Sequence, residues 1–137
     1  MTISPESASK LAGRIEKYKD SYCSGLFLSA KWFILSQIAL KGTHLVLLPD
    51  SENAEYCSSD LYTLIEGDKV FYLPDSGKKV ERSNYKSSLG VQRTAAIGKI
   101  MEGESASSPL VIVTYPEALE EKIPSGGKIM ESVLKLK

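Results

Sequence analysis

Residues 22–40 read YCSGLFLSAKWFILSQIAL, and their reading decides the fold class. An apolar run, Cys23–Leu28, has the look of a strand. A helix should follow from Ala30 to Lys41, with Ser29 placed to cap it and Gly42 to end it. Its Phe33, Ile34, Leu35, Ile38 and Ala39 spread over an arc too broad for a surface helix, so it should be buried. Strand, turn and helix follow the frame of a phosphate-binding loop. There a glycine, four free positions, a second glycine, a lysine and a hydroxyl residue close around nucleotide phosphates. In that frame Gly25 comes first, Leu26 to Ser29 are free, and Ala30, Lys31 and Trp32 close the loop.

Two of those closing positions work against phosphate. Ala30 puts a Cβ where glycine lets the backbone approach closely. Trp32 cannot hold magnesium and fills the space where a hydroxyl and metal would sit. Hydrogen bonds to charged groups contribute roughly 1.5–3 kcal/mol each, so losing these contacts weakens binding by roughly two to four decades. The frame is therefore expected to be vestigial at Gly25, Ser29, Ala30, Lys31 and Trp32, with Phe27, Leu28, Trp32 and Phe33 packing instead. No cofactor is expected in this chain.

Outward from this stretch, Ser4-Pro5-Glu6 predicts a leading helix that ends near Asp20 and lies against a sheet. Downstream, Thr43–Pro49 is a short apolar run, the pattern of a strand covered on both faces. Asp50 caps a helix whose Ala54, Cys57, Leu61, Leu64 and Ile65 keep helical spacing up to Gly67. Val70–Leu73 reads as a strand, and Asp75–Leu89 as the longest loop. A helix from Val91 to Glu102 should bury Val91, Ala95, Ile97, Ile100 and Met101. Leu110–Thr114, LVIVT, is the clearest strand. A short helix opens at Tyr115-Pro116-Glu117, Ser125-Gly126-Gly127 turns the chain, and Lys128–Lys137 alternates like a half-covered strand.

Strands separated by helices imply a three-layer α/β domain, a mostly parallel sheet with helices on both faces. The 137 residues fit one such domain, and 42% apolar with 25% charged residues fits an ordinary globular composition. Lys plus Arg and Asp plus Glu both number 17, which gives no broad basic face for nucleic acid. Cys23 and Cys57 read as free buried thiols in a reducing compartment. The N-terminus lacks the basic-then-apolar pattern of a secretory signal, and no apolar run is long enough for a bilayer. A cytoplasmic location without membrane contact is expected.

Several stretches, in order, resemble the bacterial transcription-repair coupling factor family (Mfd), at its N-terminal module shared with the excision-repair protein UvrB. They are Gly25-Leu26-Phe27-Leu28-Ser29-Ala30, departing from the family's pattern at Leu28; Leu45–Leu61, LVLLPDSENAEYCSSDL; Phe71–Asp75, FYLPD; Gln92-Arg93-Thr94; and Val111–Leu119, VIVTYPEAL. The resemblance covers residues 22–124, with 1–21 as the leading helix and 125–137 as a terminal strand of one domain. It implies half of a RecA-like helicase domain with a degenerate nucleotide loop. The parent would be an ATP-driven DNA translocase that displaces stalled RNA polymerase and recruits UvrA for nucleotide excision repair. ATP and magnesium would bind elsewhere in that parent, and this part would be a non-catalytic scaffold contacting other domains. A fragment of that kind should expose an apolar patch, including the outer face of the last strand.

Other candidate chemistry is sparse. His44, the only histidine, reads as a core or edge residue with no arranged nucleophile beside it. Lys78, Lys79, Arg82, Lys86 and Arg93 gather in the long loop and the next helix, a candidate contact for a nucleic-acid backbone. Two alternatives stay open: a nucleotide-dependent helicase half-domain with weak ATP binding, and a stand-alone α/β domain holding a ligand at the carboxyl ends of its strands.

Overall fold

The computed structural model describes residues 4–26, 30–38, 42–77, 83–102 and 109–122. Helix α1, Pro5–Lys17, begins as expected, with the Ser4 side chain accepting from the Ser7 N–H and proline in the first turn. It does not lie on the sheet as its main support. Its partner is α2, Ala30–Ile38, and the small side chains of Ala8 and Ala12 are buried.

Strand β1 is Thr43–Leu47, and Asp50 caps α3, Ser51–Leu64, through the Asn53 N–H at 2.8 Å. A 3₁₀ turn at Gly67–Lys69 leads into β2, Val70–Tyr72. Helix α4 runs Ser83–Glu102, β3 is Leu110–Thr114, and α5 is Pro116–Glu120. Helix α4 thus takes in much of the stretch expected to be a loop. Residues 83–89 contain neither glycine nor proline, so nothing in them stops the backbone from continuing a helix that packing supports further on.

The three strands are parallel in the order β1-β3-β2. From β1 the chain passes over β3 to reach β2, then steps back. Crossovers of one hand that move in opposite directions lie on opposite faces. Accordingly α3 packs with Val70, Val111 and Val113 on one face, and α4 packs through Ala96 and Ile97 with Leu110, Ile112 and Phe71 on the other. Helices on both faces of a small parallel sheet make this an α/β fold.

Two faces differ from expectation. Helix α4 buries Leu89, Arg93, Ala96 and Ile97, while Val91, Ala95, Ile100 and Met101 are exposed. The sheet chooses the stripe, because Phe71, Leu110 and Ile112 need cover there. Strand β1 is not covered on both faces: Leu45 and Leu47 are 62% and 56% exposed. Helix α4 crosses toward β2 and β3, leaving that side of β1 bare. The expected strand at Lys128–Lys137 lies outside the described residues.

Leu61 of α3 is fully buried in the main cluster. Leu61→Ala should lower unfolding stability by about 2–5 kcal/mol in a denaturant titration, whereas Tyr62→Ala, on the open side of the same helix, should change it by less than about 0.5 kcal/mol. Within α4, a methyl added at Gly98 meets nothing within 4 Å. Gly98→Ala should therefore stabilise the fold by about 0.5–1 kcal/mol in the same assay.

Candidate functional site

The frame that began at Gly25 does not form the predicted strand. Residues 21–26 are irregular, Tyr22 is 92% exposed, and Gly25 has a left-handed φ of 75°. The run holds Ser24 and Gly25 at its centre, and neither favours a strand. Its apolar end, Phe27 and Leu28, and the predicted cap Ser29 lie outside the described residues. Cys23 is exposed rather than buried, for the same reason.

Past the turn, Ala30 is half-buried in α2, and the two residues after it engage each other. Lys31 is exposed and sets its Nζ over the Trp32 ring, 4.6 Å from the centroid. Trp32 and Leu35 in turn pack against the cluster that α3 shares with the sheet. A cation over an indole face gains about 0.5–1 kcal/mol at an exposed site. Trp32 is a packing residue here, and Lys31 rests on it.

The densest polar network sits elsewhere, outside the carboxyl ends of β2 and β3. The loop after β2 leads to α4 on one face, while the loop after β3 leads to α5, whose Ala118 joins the cluster on the other face. Diverging loops of this kind open the crevice where α/β sheets commonly take ligands. Arg93 fills it. Its Nη1 donates to the Pro74 carbonyl at 2.7 Å and the Ala118 carbonyl at 3.1 Å, and its Nη2 donates to the Glu121 carbonyl at 3.2 Å. Its Nε lies 4.0 Å from Glu121 Oε2.

The same carboxylate oxygen accepts from the Ser76 N–H at 2.7 Å, and the Asp75 N–H donates to the Tyr115 hydroxyl at 3.0 Å. Burial pushes the Tyr115 phenol above its ordinary value. Thr114, fully buried, donates its hydroxyl to the Leu73 carbonyl. Each of these groups bonds another part of the chain. The network ties the two loops together.

Arg93 thus leaves the predicted basic patch: buried and bonded to carbonyls, it does not face a nucleic-acid backbone. Its position carried a signal. Leu89, Arg93, Ala96 and Ile97 follow helical spacing, which puts the arginine on the buried stripe. Lys78, Lys79 and Arg82 lie outside the described residues, and Lys86 is placed in α4 by its backbone alone. His44 is half-buried on β1.

Beside this network, a groove of 380 Å³ runs between α3 and α4, with Glu55, Ser59, Tyr62, Tyr72, Leu89 and Gln92 in its lining. Among the described residues no three His, Cys, Asp or Glu side chains gather to hold a metal. No helix among them is long and apolar enough to cross a membrane. No protein family matches the chain, and no curated protein or solved structure matches it significantly.

Arg93→Met should destabilise the fold by about 2–4 kcal/mol, because three carbonyls lose a charged donor. Arg93→Lys should recover only part of that in thermal or urea unfolding, since an ammonium cannot reproduce the fork. Cys57 provides a pH test. Burial pushes its thiol from 9.0 up to about 12; Asp60 acts in the same sense and Lys31 opposes it. Above the ordinary value the unfolded chain loses this proton while the folded chain keeps it, so stability falls as pH rises toward 12. Cys57→Ala lacks that loss. The stability gap between wild type and variant should therefore narrow between about pH 8 and 10.5.

Proposed function

We propose that this chain is a non-catalytic scaffold and interaction domain, the N-terminal part of a transcription-repair coupling factor, built on half of a RecA-like helicase domain. Its partners would be the other domains of that parent and, through them, UvrA, RNA polymerase and DNA, in the cytoplasm. The observation that carries the non-catalytic reading is the Lys31–Trp32 pair. The lysine of the loop frame lies on an indole at 4.6 Å, and that indole packs against the core. An indole packed against that cluster occupies the place a metal would need.

Two further observations support the reading. The crevice at the carboxyl ends of β2 and β3 is closed by Arg93, which disfavours a stand-alone domain holding a small ligand there. Exposed Leu45 and Leu47 form an apolar strip of the sort that larger assemblies cover. The family assignment itself rests on the ordered motifs, from Gly25-Leu26 through Val111–Leu119.

Titration calorimetry with ATP and magnesium should show no binding tighter than about millimolar, that is, about −4 kcal/mol. Micromolar binding that Lys31→Ala abolishes would overturn the non-catalytic reading. The family reading is tested separately in the genome. The reading frame should continue beyond Lys137 into translocase motor motifs, and a stop codon or an unrelated continuation there would remove it.

A further inference from the structure

We propose that the groove along the outer face of α3 takes an extended segment of a partner polypeptide that carries Lys or Arg side chains. Helix α3 covers one face of the sheet and α4 the other, and β2 is the last strand in the order. The groove between the two helices therefore follows the β2 margin, with Tyr72 of that strand in its lining. A second cavity, of 450 Å³, adjoins it through the shared Glu55 and Ser59 and adds Glu52 and Tyr56.

Helical spacing lines this surface up. Glu52, Glu55, Tyr56, Ser59, Tyr62 and Thr63 recur at intervals of three and four, which sets them on one stripe of α3. The buried residues of that helix, Ala54, Cys57 and Leu61, hold the opposite stripe. From Glu52 to Thr63 the stripe is about 16 Å long, the length of roughly five residues of extended chain. A single small amine would fill only one end of it.

Charge sets the class of the occupant. Between Gly42 and Asp68 stand six acids, Asp50, Glu52, Glu55, Asp60, Glu66 and Asp68, and no Lys or Arg, in a chain whose acids and bases are equal in number. Asp50 is taken up in capping α3, and Glu66 is bonded to Lys69. Glu52 and Glu55 line the groove, and among the described residues lining the two cavities there is no Lys, Arg or His. An anionic ligand is thereby disfavoured and a cationic one favoured.

Exposed carboxylates alone hold a cation weakly. Rings make the difference here: Tyr56 and Tyr62, 66% and 62% exposed, offer aromatic faces beside those carboxylates. The hydroxyls of Ser59 and Ser88 and the amide of Gln92, also in the lining, both donate and accept hydrogen bonds. That suits a peptide backbone, which presents both kinds of group in turn. The surface is read from its own residues and does not depend on the family assignment.

An NMR titration of the full chain with a synthetic octapeptide of alternating arginine and alanine tests this. Amide shifts should gather at Glu52–Thr63 and Ser88–Gln92 and saturate, and raising the salt from about 50 to about 300 mM should weaken binding severalfold. Tyr56→Ala together with Tyr62→Ala should weaken it about tenfold, and Glu52→Gln, at an exposed position, about threefold, with unchanged urea unfolding midpoints. An octapeptide of alternating glutamate and alanine should leave the groove unshifted. Lack of saturable shifts, shifts centred elsewhere, equal binding of the acidic peptide, or an affinity indifferent to all three substitutions would each overturn the proposal. So would shifts along α3 that grow with protein concentration alone, which assign the face to a second copy.

Discussion

Strand β3 is bonded to a neighbour on each edge and buried along its whole length. That placement constrains everything else described. A central parallel strand cannot be joined to its neighbours by hairpins, so each connection must climb over a face as a helix. Two faces need cover, and the reversal of direction between β1-to-β2 and β2-to-β3 supplies α3 to one and α4 to the other. The same reversal parts the loops at the carboxyl end. Parted loops expose backbone carbonyls in a confined space, and carbonyls there need donors. Arg93 supplies three of these bonds from one rigid fork, a task for which lysine lacks the geometry.

The region framed like a nucleotide loop follows a different logic. A phosphate site needs backbone N–H groups held open, a mobile cation and room for a metal. Here α2 is anchored by Trp32 and Leu35 against the α3 cluster, and its lysine is drawn sideways over the indole. Each departure has a packing return: the indole adds apolar area to a core that a small sheet could not fill alone. Helix α1 then covers α2 through Ala8 and Ala12, whose short side chains let the two helices approach.

Elements with a strong local signature were legible. Asp50 and Ser4 as caps, the β-branched run of β3 and the helical spacing of Ala54, Cys57 and Leu61 could be read directly, because each depends on near neighbours in the chain. The features that differ from the sequence expectation depend on distant ones. The buried stripe of α4 is set by Phe71, Leu110 and Ile112, which its own sequence does not contain. Its early start at Ser83 lacks an apolar period altogether. The run at Cys23 looked like a strand by composition, yet Ser24 and Gly25 interrupt it. Charge alone marks Arg93 as a surface residue, whereas its spacing from Leu89 and Ala96 puts it on the buried stripe. Charge argues for the surface only when no buried acceptors are within reach, and which acceptors lie within reach is a tertiary fact.

The two ends of this small sheet's polar chemistry therefore differ in kind. At the carboxyl end, the side chains of Arg93, Tyr115 and Glu121 are bonded to backbone groups of the two loops. Large side chains stand exposed on β1 at Leu45 and Leu47, on α3 at Tyr56 and Tyr62, and on α4 at Val91. Apolar area gains free energy when another surface removes it from water, with little demand on angle or charge.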